Sequence, residues 1–130
     1  MPLKLYLSTL VILIVLDLLW IGLVGKTFYM GQLGFLLKSE IKWIPIVLFY
    51  VLFAGGLVLF AVLPALEKNS WIHALSFGAL LGAMSYGTYD LINFATLKDW
   101  PLSVTIVDLL WGMVLCSAVS TTSFWIGKTF

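Results

Sequence analysis

Arginine is absent from this 130-residue chain, and histidine and cysteine occur once each. Seven lysines against six acids leave a formal charge of +1. No basic surface is available to neutralise a run of phosphates, which excludes nucleic acid as a partner. The lone Cys116 cannot form a disulfide within the chain and, deep in an apolar run, reads as inert packing. Without a Cys/His cluster there is no donor set for a transition-metal centre, and the glycines form no phosphate-binding loop. No metal and no cofactor is therefore expected, although a hard cation held by aspartates stays open.

Apolar residues are what the chain has in excess. They make up 62% of it, with a mean hydropathy of +1.12, far above a soluble domain whose surface must face water. An α-helix rises about 1.5 Å per residue, so crossing a hydrocarbon core of about 30 Å takes roughly 20 apolar residues. Four stretches qualify, at about 5–25, 43–63, 71–97 and 101–126. The first exceeds the apolar run of a signal peptide and no small-x-small cleavage site follows it, so it is expected to stay as a membrane anchor. Pro45 and Pro101 stand near helix starts, where a missing N–H costs little, and Pro64 follows the second stretch. The expectation is an all-α membrane protein, a single domain over 1–130. It forms a four-transmembrane-helix bundle with both termini on the same side.

Four lysines (Lys26, Lys38, Lys42, Lys98) fall on the side opposite the termini and three (Lys4, Lys68, Lys128) on the terminal side. This is a slight lean toward a cytoplasmic loop side. The connection at 26–42 is too apolar for a free aqueous linker and too short to span. Its Phe28, Tyr29, Met30, Leu33, Phe35, Leu36 and Leu37, bounded by lysines, suit an interfacial segment, either a lid over that side or a plain tether.

Three aspartates fall inside the expected spans. Helix direction and rise put Asp17, Asp90 and Asp108 in the same half of the membrane. A charged aspartate near the bilayer centre costs roughly 2.5–3.5 kcal/mol on insertion scales, so each should face the bundle interior. No arginine or mid-span lysine can pair with them. Neutralisation must come from protons, hydrogen-bond donors, a bound cation or water, which makes a proton-titratable aspartate cluster. Helical spacing adds neighbours. Tyr86 and Asn93 flank Asp90 at the end of a small-residue stripe through Ala79, Ala83 and Gly87, Trp20 shares a face with Asp17, and Trp111 with Asp108. The plainer alternatives are that these acids bond across helices, and that the tryptophans pack or anchor at the interface. His73 falls at the opposite end from the acids and reads as interfacial.

VLDLLWIG around Asp17 returns as IVDLLWGM around Asp108, with TYDLINFA around Asp90 a looser copy. The first and third helices run parallel, so a degenerate two-helix repeat is open. Through DLLWIG at Asp17 to Gly22, FYMGQLG at Phe28 to Gly34, GTYDLINFATLKDWP at Gly87 to Pro101 and IVDLLWG at Ile106 to Gly112, the chain resembles domain-of-unknown-function family 2177, bacterial membrane proteins. The resemblance covers nearly the whole chain. It implies a compact four-helix protein of a bacterial inner (cytoplasmic) membrane and no established reaction. It also implies a genomic setting beside fatty-acid or membrane-lipid modification genes.

Three functional classes follow. The first binds or transports a small hydrophobic or cationic solute at the aspartates, as small four-helix exporters do when they dimerise around a first-helix acid. The second is an enzyme or enzyme subunit acting on fatty-acyl or isoprenoid chains, with an aspartate as general acid or base. The third is a structural assembly module. Membrane lipids are partners in all three, and a homodimer is open.

Overall fold

The computed structural model describes residues 2–37 and 40–130; Lys38, one of the lysines on the loop side, lies outside them. Four helical rods make up the fold: α1 (Pro2–Leu36), α2 (Trp43–Lys68), α3 (Trp71–Thr96) and α4 (Leu102–Gly127). Among the described residues there is no strand. Lys4 sits 5.9 Å over the ring of Phe130, so the two termini share one end of the bundle. The four-helix membrane bundle expected from the sequence is what the chain forms.

Three rods, α1, α2 and α4, are long and apolar enough to cross a membrane by length and composition. They are apolar outside as well as inside: Leu7, Val11, Val15 and Leu18 make an exposed stripe along α1. A rod apolar all round needs an apolar surround. α3 matches α4 in length, 26 residues each, but is less apolar than the other three, because Gly78, Gly82, Gly87 and Asp90 take its buried positions. Its outer hydroxyls are turned inward to the helix: Thr88 donates to the Met84 carbonyl (2.6 Å) and Thr96 to that of Ile92 (2.7 Å). Such back-bonding satisfies a hydroxyl where water is absent.

The α3–α4 seam is the closest in the fold. Ala74, Gly78, Gly82, Tyr86 and Asp90, spaced by four, lie along one face of α3. A methyl on Gly78 would come within 2.6 Å of the Cys116 carbonyl oxygen, and one on Gly82 would collide with the Gly112 carbonyl. Gly112 in turn lies under the Tyr86 ring, leaving no room for a side chain. Gly78 and Gly82 thus form the small-xxx-small contact that lets two backbones meet. The expected stripe through Ala79 and Ala83 is one residue off. Both alanines are only partly buried, since helix contacts repeat here every four residues from Ala74.

Two boundaries differ from the sequence reading. α1 does not end at Gly25: it passes from α-helix (Pro2–Trp20) into a π-helical stretch (Ile21–Tyr29), one α turn (Met30–Leu33) and a 3-10 turn (Gly34–Leu36). At 35 residues it is about 50 Å long, more than a hydrocarbon core requires. Its extension is tied down by Ser103, whose hydroxyl donates to Gln32 (2.9 Å), and by packing of Leu33, Phe28 and Tyr29 on Trp100 and Val104. α2 likewise runs through Pro64 to Lys68. A π-helical turn at Val58–Val62 absorbs the proline, the usual remedy for a missing helical N–H. It ends on Asn69 in the left-handed conformation (φ 51°). The Ser70 hydroxyl then accepts from the His73 N–H (3.2 Å) to start α3.

Candidate functional site

Three cores hold the terminal half of the bundle shut. Leu13, Ala54, Leu57, Leu115, Cys116 and Val119 form the largest, with Leu5, Val58 and Val62, and Ala65, Ala74 and Phe124, beside it. Between them and the α3–α4 turn the helices leave a cavity of about 260 Å³. Asp17, Asp90 and Asp108 all line it, together with Trp20, Tyr86 and Trp111. Asn93 is not among its lining residues. It stands three positions beyond Asp90, partly buried and one turn nearer the end of α3, and its carbonyl accepts from the Leu97 N–H (2.9 Å) to close the helix. His73 is far from the cavity, stacked on Phe77 with ring centres 4.0 Å apart.

The three carboxylates differ in what meets them. Asp17 receives two donors, the Tyr50 hydroxyl and the Trp111 indole N–H (3.2 Å). Asp108 receives the Tyr29 hydroxyl (3.0 Å), which itself accepts from the Trp20 indole (3.2 Å). Trp20 and Trp111 are stacked, with ring centres 4.3 Å apart and planes 5° from parallel. The two D-L-L-W segments therefore meet as a crossed pair, each tryptophan serving the aspartate of the other's segment: Trp111 directly on Asp17, Trp20 through Tyr29 on Asp108. Asp90 differs from both. It is fully buried and neither carboxyl oxygen has a hydrogen-bond donor. Only its backbone is held, by the Thr105 hydroxyl (3.3 Å), which accepts from the Trp100 indole (3.0 Å).

No lysine lines the cavity. Among the described residues no three acids, histidines or cysteines are grouped as metal ligands. An unpaired buried carboxyl costs several kcal/mol unless a proton or a bound donor compensates it. Asp90 is the one carboxyl of the cavity whose oxygens have no hydrogen-bond partner.

Sequence reasoning missed Tyr50 and gave Tyr29 a different role. Tyr50 lies in an α2 whose one acid, Glu67, stands at the opposite end of the helix; only its depth, seven residues in from the start of α2, matches that of Asp17. Tyr29 was placed in the interfacial connection, but the π-helical stretch carries it to the cavity. Residues nine apart on an α-helix point to opposite sides. With i→i+5 bonding and about 4.4 residues per turn they come back to the same side. That is how Trp20 and Tyr29 touch.

A second space of about 380 Å³ adjoins the first, lined by Phe49, Ser85, Tyr86, Tyr89 and Asp108. Tyr86, Tyr89 and Asp108 belong to both.

No curated protein and no solved structure matches this chain. The model of the family described as Predicted membrane protein (DUF2177) matches residues 2–125, almost its full length, and the chain belongs to that family.

Proposed function

We propose that the protein binds, and moves across a bilayer, a small hydrophobic cation that exchanges with protons at the Asp17, Asp90 and Asp108 cavity. One observation carries the reading: a buried carboxyl, Asp90, without any donor, in a cavity whose other two carboxylates already have theirs. A cation would satisfy Asp90 and Asp108 together, and the faces of Trp20, Trp111 and Tyr86 suit its apolar surface. A proton on Asp90 does the same when the site is empty. Binding and protonation then exclude each other, which is the linkage a proton-coupled carrier needs.

The test uses purified protein in lipid nanodiscs and hexylamine as probe, followed by quenching of tryptophan fluorescence. Affinity should rise from mildly acidic to mildly alkaline pH and fall with Asp90→Asn or Asp108→Asn. Affinity indifferent to pH and to asparagine at all three positions would refute it.

A second reading has one observation in its favour: the space beside Asp108 gives a lipid chain room to reach a carboxyl. As an enzyme or enzyme subunit on acyl or isoprenoid chains, the protein would alter the membrane lipid profile when its gene is deleted. Wild type would restore that profile and Asp90→Asn would not; an unchanged lipid profile removes this reading.

A further inference from the structure

The geometry points to a lateral entrance between α2 and α3, and so to a solute with an apolar tail behind a protonated amine head. This rests on the reading that the carboxylate cavity binds a solute, and it specifies both the solute's class and its route.

Both axial routes to the carboxylates are closed. Toward the termini stand Leu13, Ala54, Leu57, Leu115 and Val119, each 0 or 1% exposed. Toward the other end stand Leu33 and Trp100, each 8% exposed, under the α1 extension that Ser103 and Gln32 pin in place. The side is different. α2 packs on α3 through Val58–Val62 and Leu63–Lys68. After the Phe53 and Tyr86 rings, 6.3 Å apart, the two helices diverge toward Trp43. The 380 Å³ space occupies that divergence. Phe49 and Tyr89 at its mouth are 42% and 51% exposed, so it opens on the outer surface of the bundle. Leu52 and Met84, also exposed, continue that surface as apolar flanks.

An occupant must match both ends of this path. The inner end offers carboxylates, with the oxygens of Asp90 unfilled, so the complementary head is cationic and carries N–H donors. The outer end offers Phe49, Tyr86 and Tyr89 and no charge, which suits an aliphatic or aromatic tail. A single-chain primary amine fits both. A small inorganic cation has no reason to take an apolar mouth, and a phosphate-bearing head would meet like charge inside.

Dodecylamine binding to the full chain in nanodiscs tests this, with Ser85→Trp to fill the mouth and Val114→Trp, on the lipid-facing side of α4, as control. Ser85→Trp should weaken binding at least tenfold and Val114→Trp should leave it unchanged. Equal affinities for the two overturn the lateral entrance. If Ser85→Trp does not fold, Phe49→Ala decides: a wider mouth should speed association several-fold, and an unchanged rate overturns the entrance. Binding that depends on Asp90 yet ignores Ser85 and Phe49 leaves the carboxylate reading standing while removing this one. Absence of saturable binding to wild type removes both.

Discussion

Gly82→Ala is the smallest change that should separate α3 from α4. The added methyl would collide with the Gly112 carbonyl oxygen and lie 2.6 Å from its carbon and 3.0 Å from Met113 Cα. All three are backbone atoms, so no rotamer relieves the clash. Retreat of the carbonyl carbon from 2.6 to the 3.4 Å of ordinary contact moves one helix by about 0.8 Å. A radial gap of about 0.5–1 Å forfeits a quarter to a half of each contact's attraction. The neighbouring contacts at Gly78 with Cys116 and at Tyr86 with Gly112 lie on the same seam and open with it. Overpacking of this kind costs about 1–3 kcal/mol, roughly 5- to 150-fold in the unfolding equilibrium. Gly56→Ala is the matched control: nothing lies within 4 Å of its added methyl, and alanine in a helix gains roughly 0.5–1 kcal/mol over glycine. Reversible denaturant unfolding in mixed micelles should therefore move the two variants in opposite directions. Equal stability, or a Gly82 variant as stable as wild type, would refute the seam.

Three further outcomes follow from the site's polar contacts. Asp17→Asn should destabilise more than Asp90→Asn, because asparagine keeps one acceptor oxygen and leaves the other of Asp17's two donors unmet, whereas Asp90 has no donor to lose; leaving a buried donor unsatisfied costs about 1–3 kcal/mol, and the same unfolding assay gives the order. Tyr29→Phe should raise hydrogen exchange across Ile21–Tyr29 specifically, since the hydroxyl joins that stretch to Asp108; uniform exchange along α1 would count against it. Thr9→Val and Ser123→Ala, whose side chains bond at 2.9 Å in the buried terminal half, should show a coupling near 0.6 kcal/mol in a double-mutant cycle. A coupling of zero would mean that the pair contributes nothing.

Run length alone was enough to read four rods from the sequence, because hydrocarbon thickness leaves little choice of element. Helix direction and rise were enough to bring Asp17, Asp90 and Asp108 to one level. What stayed hidden depends on rotation about a helix axis. Ala79 and Gly78 are both small and differ by one position, so composition does not say which of them faces α4; the Gly78 and Gly82 pair, four apart, is the more specific sign. Helical spacing groups Asn93 with Asp90, but Asn93 stands one turn further along α3, past the cavity. Tyr50 needed the knowledge that α2 passes beside α1 at that depth, which Tyr6 secures by donating to the Val51 carbonyl (2.8 Å).

The π-helical stretch of α1 has a consequence for how its length is counted. Nine residues there complete about two turns, where an α-helix would use about seven. Trp20 and Tyr29 are thus separated by two residues more than their alignment requires, and those two are surplus to the axis while indispensable to the register. Removing one would swing Tyr29 off Asp108; removing two would return it to the same side, on a shorter and regular helix. Spacing in this chain is therefore a matter of phase, and the distance from one D-L-L-W tryptophan to its tyrosine carries structural information that the residues between them do not.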